Sequence, residues 1–132
     1  MQKCSLTIVT TADGQETNFS CEAELEISPL SACFHYLQDG AKTMVRFADR
    51  KVTIQREGDY SMQLLLEEGK THQGKLLLGG NEGSFPVMAK KVAYAITDKS
   101  LLASLHYFLM FDGEAQEMKI RLNAREIYSE EK

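Results

Sequence analysis

The chain has 132 residues, with 15 Lys and Arg against 19 Asp and Glu, a formal charge of −4, and 43% of its residues are apolar. That length predicts one domain spanning residues 1–132, and that composition excludes a disordered chain. The acidic balance offers no broad attraction to nucleic acid or anionic membrane, so neither is an expected partner.

The opening Met1-Gln2-Lys3-Cys4-Ser5 carries no apolar signal-peptide core. No unbroken apolar run is longer than Tyr107 to Phe111, which is far short of a bilayer span. The expected address is the cytoplasm. Cys4, Cys21 and Cys33 fit it: the count is odd, none sits in a close chelating pair, and all three read as small buried hydrophobes.

In chain order, the first signal is Asp13-Gly14, a dipeptide that favours a two-residue hairpin because both central residues must take positive φ. After it, Thr17 to Ile27 alternates. Phe19, Cys21, Ala23, Leu25 and Ile27 share one face, and Asn18, Ser20, Glu22, Glu24 and Glu26 share the other. The turn then pairs Ile8 with Phe19, Leu6 with Cys21, and Cys4 with Ala23. Asp39-Gly40 pairs Tyr36 with Thr43, Phe34 with Val45, and Ala32 with Phe47. A four-residue loop, Ala48 to Lys51, sets Phe47 against Val52 and Thr43 beside Arg56. Glu57-Gly58-Asp59 reads as a three-residue loop pairing Arg56 with Tyr60, Ile54 with Met62, and Val52 with Leu64. Glu68-Gly69-Lys70 pairs Leu66 with His72 and Met62 with Leu76. Gly79 to Ser84 joins Leu78 to Phe85. The apolar phase changes from odd at Phe85 and Val87 to even at Val92, Tyr94 and Ile96, which predicts a bulge between Met88 and Lys91. Asp98-Lys99 pairs Ile96 with Leu101, and Asp112-Gly113 pairs Tyr107 with Met118, Leu105 with Ile120, and Ala103 with Leu122.

In all three Asp-Gly hairpins apolar meets apolar, and a one-residue slip would set each apolar face against a polar one. Residues 101–127 also satisfy a helical spacing, but the Asp112-Gly113 register and the aromatics of Tyr107 to Phe111 favour strands. The sum is an all-β chain, an antiparallel meander of about ten strands. A flat sheet of that size would leave an apolar face wet and two edges open, so closure into an up-and-down barrel is expected.

The stretch from Val52 to Lys70 resembles a known bacterial family, the YwiB-like proteins of unknown function. The resemblance rests on Arg56, Gly58, Met62, Leu64, Leu66, Glu68, Gly69 and Lys70, with Gly74 continuing the pattern, and more loosely on Thr7 to Ile127. It departs at residues 79–86, where the family usually carries a Thr-Pro-aromatic-Gly turn. The resemblance implies a lipocalin-like, calycin-type barrel and no established activity. The chain has no Trp, so the Gly-x-Trp signature of true lipocalins is absent.

The expected register assembles one lateral row on the inward face near a barrel mouth: Tyr36, Thr43, Arg56 and Tyr60. A guanidinium there offers a fork of donors for a carboxylate or phosphate, and the tyrosine rings can hold it. The plainer reading of the same row is a polar plug closing the barrel end, with Arg56 stacked on tyrosines and paired to an acid. His72 falls on the inward face and joins the candidate ligand-binding set. Lys119, Arg121 and Arg125 share an outer strand face with Asn123. No His spacing suits a metal, and no phosphate loop or nucleophile–base set appears. The adjacent acids Glu67-Glu68 and Glu130-Glu131 point to opposite faces of a strand and read as a turn and a tail. No catalytic residue, metal or cofactor is expected. The leading expectation is a noncatalytic binder of a small anion-headed or apolar ligand in a barrel cavity. The alternative is a protein-interaction or scaffold module whose barrel is filled by Phe19, Phe34, Phe47, Met62 and Tyr107.

Overall fold

The computed structural model describes residues 2–127. Ten strands follow one another: β1 (Gln2–Ala12), β2 (Gln15–Ser28), β3 (Ser31–Gln38), β4 (Ala41–Ala48), β5 (Lys51–Glu57), β6 (Tyr60–Glu67), β7 (Thr71–Leu78), β8 (Asn81–Ile96), β9 (Ser100–Phe111) and β10 (Glu114–Glu126). Each pairs antiparallel with its neighbours in the chain, and β10 returns to β1, closing the barrel. Residues 101–127 are strand, not helix, up to Glu126. No helix among the described residues is long and apolar enough to cross a membrane. The Glu130-Glu131 pair lies outside the described residues.

Corner chemistry sets the register. Asp13-Gly14, Asp39-Gly40 and Asp112-Gly113 have φ of 49° and 84°, 53° and 80°, and 49° and 81°. Positive φ at both central residues matches the right-handed twist of the flanking strands. The pairings that these turns predict are all present, among them Leu6 with Cys21, Phe34 with Val45, and Leu105 with Ile120. Two more corners have the same backbone: Asp49-Arg50 at 53° and 62°, and Gly79-Gly80 at 58° and 84°. The second corrects the long connection expected from Gly79 to Ser84. Leu78 pairs directly with Asn81, and β8 begins there.

Two further pairings are corrected. The Glu57–Asp59 corner is wider by two residues: Arg56 pairs with Met62, Ile54 with Leu64, and Val52 with Leu66. The cause is local. Gly58 lies against Ala41, so close that a Cβ would fall 2.9 Å from the Ala41 Cβ. Asp59 Oδ1 meanwhile accepts from the Tyr60 amide and from Arg56. At the other end of β6, Met62 does pair with Leu76, but the β6–β7 ladder covers only Tyr60–Gln63 against Lys75–Leu78, and His72 faces Val87 on β8 instead of Leu66. There the β6–β7 corner turns away to β8. The Gly69 amide donates to the Ala89 carbonyl (2.8 Å), the Ala89 amide to Lys70 (3.1 Å), and the Val92 amide to Glu68 Oε1 (2.9 Å). The register shift between Ala89 and Lys91 is the expected bulge.

β2 and β8 are the longest strands, and each serves two neighbours in turn. β2 pairs with β1 over Gln15–Leu25 and with β3 over Glu24–Ser28; β8 pairs with β7 over Asn81–Met88 and with β9 over Val87–Ile96. The inward faces meet in one apolar core. Phe34, Phe47, Leu6, Leu25, Leu64, Leu66, Leu101 and Leu105 are essentially solvent-free, and each such side chain contributes roughly 1.5–3 kcal/mol by leaving water. A run of rings threads it: Phe19–Tyr36, Tyr36–Phe34, Phe34–Phe47 and Phe47–Tyr94, with centroids 5.6, 5.9, 6.1 and 5.2 Å apart.

Packing around Gly74 gives a direct test. A Cβ there would lie 2.8 Å from two atoms of the Phe85 ring and 3.0 Å from Val87. The Phe85 ring cannot retreat freely, since it packs on Phe111 at 4.5 Å. Gly74→Ala is expected to cost about 1–3 kcal/mol by overpacking. Urea denaturation measures it, and an unchanged midpoint would show that the barrel wall has slack here.

Candidate functional site

The expected row forms in part. Tyr36 on β3 pairs with Thr43 on β4, and Thr43 pairs with Arg56 on β5. The fourth member of the row is Met62, because the wider corner displaces Tyr60. Tyr60 still reaches Arg56 by another route. The Arg56 guanidinium carbon lies 3.7 Å from the Tyr60 ring centroid. Nη1 donates to the Tyr60 carbonyl at 2.8 Å, and Nη2 to Asp59 Oδ1 at 3.1 Å. The β5–β6 corner thus wraps the guanidinium with its own carbonyl, carboxylate and ring. The Arg56 side chain is 21% exposed and that of Asp59 81%.

Behind this clamp the row packs against the core. Thr43 is buried at 8% exposure, and the Tyr36 ring packs on Phe19 and Phe34. Burial pushes the Tyr36 phenol up, while a hydrogen bond with Thr43 and the charge of Arg56 pull it back. The Tyr107 phenol is also pushed up, first by burial and then by Tyr36. Both phenols therefore stay neutral near pH 7. The arrangement presents donors and rings at the mouth and a closed apolar packing beneath them.

His72 is not brought to this row. It lies beside the β6–β7 corner, at the barrel end opposite the β5–β6 corner that holds Arg56. Its Nε2 is 3.0 Å from Glu67 Oε1, and Lys70 Nζ is 3.4 Å from Glu67 Oε2. A half-buried histidine with a carboxylate partner is a satisfied group closing a corner.

Several polar contacts have no counterpart in the sequence reading. Glu68 receives the Val92 amide at the bulge, His106 meets Glu117 at 2.7 Å, and Asp13 Oδ1 accepts the Glu117 amide at 2.9 Å. Arg50 stands at φ 62° and donates its amide to the Tyr94 hydroxyl at 3.0 Å. The phase change at Met88–Lys91 signalled that some group must serve the bulge, but nothing local named Glu68. Among the described residues no three His, Cys, Asp or Glu side chains gather as a metal ion would require. Cys4, Cys21 and Cys33 are unpaired, and burial raises all three thiols, Cys4 to about 11. They are poor nucleophiles near neutral pH.

On the outer wall, β8, β9, β10 and β1 frame a groove of about 550 Å³, lined among others by Val9, Ala93, Ala95, Leu102 and Arg121. Leu102 is 52% exposed there.

Two carboxylates link this geometry to pH. The hydrogen bond from Arg56 holds Asp59 below its usual 3.8, and the hydrogen bond with His72, followed by Lys70, holds Glu67 below its usual 4.5. Unfolding returns both to their ordinary values. Between the folded and unfolded values the unfolded chain binds more protons, so stability rises with pH. The contribution is full above the ordinary values and is lost as pH falls through the folded ones. Asp59→Asn and Glu67→Gln are each expected to flatten the loss of stability below about pH 4.5. Urea unfolding as a function of pH measures this, and a wild-type slope in both variants would show that neither contact matters in solution.

Comparison with known proteins agrees with the barrel. The crystal structure of the YwiB protein from Bacillus subtilis is similar to this chain with a TM-score of 0.82 and 15% identity, over 96% of this chain and 93% of that one. At that identity the likeness carries the fold alone. No curated protein matches the sequence. The family described as "Domain of unknown function (DUF1934)" matches residues 6–123, from β1 into β10. The chain belongs to that family.

Proposed function

We propose that this chain is a noncatalytic protein-interaction module that works through its outer wall. The observation that carries this reading is the filled interior: the ring run from Phe19 to Tyr94 and the buried Leu and Val side chains occupy the space a carried ligand would need. Supporting it, the guanidinium that would greet an anionic headgroup is already held by Asp59 and Tyr60. The raised thiols offer no ready nucleophile. The same unpaired thiols suit a reducing compartment such as the cytoplasm.

A second reading keeps the lipocalin-like expectation of a small ligand but moves it out of the interior. The outer groove of about 550 Å³ is of a size that small-molecule sites have, and its lining is mainly apolar.

Native mass spectrometry of protein purified from its own cells separates the two. The first reading expects the bare 14.8 kDa chain, alone or in protein complexes. A retained small molecule overturns it. Loss of that molecule in Leu102→Asp would place it in the groove, and loss in Arg56→Ala at unchanged circular dichroism would place it at the mouth.

A further inference from the structure

We propose that the protein partner of the outer wall includes a second copy of this chain, docked face to face on β10, β1 and β2 about a two-fold axis that runs along β1. The inference rests on the reading that the outer wall is the working surface, and it goes further by naming one occupant.

The registers of β1 with β2 and with β10 place the outward side chains in lateral rows. At Ser5 the row reads Glu22–Ser5–Arg125. At Thr7 it reads Ser20–Thr7–Asn123, at Val9 Asn18–Val9–Arg121, and at Thr11 Glu16–Thr11–Lys119. Every charge on the β2 side of these four rows is negative, and every charge on the β10 side is positive. The β1 residues between them, Ser5, Thr7, Val9 and Thr11, are uncharged. Glu16, Glu22, Lys119, Arg121 and Arg125 are all exposed. None of them forms an ion pair among the described residues; the pairs present are Arg56–Asp59, Lys70–Glu67, His72–Glu67 and His106–Glu117. Geometry explains this. The acid and the base of one row stand two strand spacings apart, roughly 10 Å, and project side by side from the wall instead of towards each other.

A two-fold axis along β1 solves that separation. It carries β2 of one copy over β10 of the other and leaves the height along the strand unchanged, so each row meets itself reversed. Glu22 then faces the partner copy's Arg125 side chain, Glu16 faces its Lys119, Asn18 its Arg121, and Ser20 its Asn123. Each contact occurs twice, as an isologous interface demands. Facing sheets stand about 10 Å apart, a gap that Glu and Arg or Lys side chains span together. A two-fold axis across the strands would instead set β2 on β2 and acid on acid. An RNA on Lys119, Arg121 and Arg125 would need to tolerate Glu16 and Glu22 one strand beyond β1, and no exposed aromatic interleaves the cations for stacking.

Sedimentation velocity on the full-length chain tests this, with three variants: Glu22→Arg, Arg125→Glu and the two combined. The wild type is expected to be a dimer at low salt that weakens as salt rises. Each single reversal acts twice across the axis and is expected to raise the dimer dissociation constant about tenfold or more. The combined variant restores the pairing with signs exchanged; an equimolar mixture of the two single variants restores it in a mixed dimer, one contact reversed and the other native. Circular dichroism confirms that the exposed substitutions leave the barrel intact. A wild type that stays monomeric near millimolar concentration, a dimer indifferent to both reversals, or a ladder of species beyond two chains overturns the proposal. So does a wild type that associates only when RNA is added. A monomeric wild type free of small molecules would leave the interaction-module reading standing, whereas a retained ligand in a dimer would remove that reading and leave the axis in place.

Discussion

The period-two alternation of a strand makes register the governing constraint of this molecule. Every inward side chain, from Leu6 on β1 to Leu122 on β10, depends on its neighbour arriving at the same parity. A closed barrel allows no compensation at an edge, because β1 must satisfy both β2 and β10 at once. Corners with both residues at positive φ enforce that parity locally. Asp39-Gly40, for instance, delivers Phe34 and Phe47 to the same side of the wall, where their rings meet at 6.1 Å. The core is thus a consequence of turn chemistry as much as of hydrophobicity.

What the barrel ends do follows from what the corners leave unsatisfied. The β5–β6 corner encloses the Arg56 guanidinium, and the β6–β7 corner fastens to the bulge of β8 through Gly69, Lys70 and Glu68. A bulge frees backbone groups, and a corner presents them; each supplies the other's partner. Arg56 follows the same logic. A guanidinium facing the barrel interior needs acceptors, and the nearest are the carbonyl and carboxylate of its own turn.

The parts of the structure that were legible in the sequence, and those that were not, divide along this physics. The three Asp-Gly hairpins were legible because turn residue and apolar pattern speak to the same register. The Glu57–Asp59 corner lies two residues off its expected register, a slide that keeps every side chain on its own face, so the apolar pattern is blind to it. The connection at Ala48–Lys51 keeps its expected register, but its tight Asp49-Arg50 corner is not legible, because Arg is a poor signal for φ of 62°; the Tyr94 hydroxyl that receives its amide is 44 residues away. Of the candidate site, Tyr36, Thr43 and Arg56 came together as their pairings require. Tyr60 joined through its ring instead of its strand position, and His72 went to the opposite end with Glu67. Strand parity places a residue on a face, but the contacts of a corner depend on loop geometry that parity does not encode.

The outer wall obeys the same alternation with the opposite meaning. Glu22, Glu24 and Glu26 recur every second residue on β2, about 7 Å apart, and Lys119 and Arg121 do the same on β10. Side by side on one strand, like charges repel, and an isolated barrel would lower that repulsion by interspersing the signs. Here the signs are segregated across the uncharged Ser5, Thr7, Val9 and Thr11 of β1, with Lys3 beside Glu24 at the end of the face, although the chain as a whole carries only −4. Segregation is unfavourable within one copy and favourable between two, provided the second arrives with its strands exchanged about β1. The packed interior and the sorted exterior therefore have one origin: a register that fixes which residues face inward also fixes which charges share a strand outside.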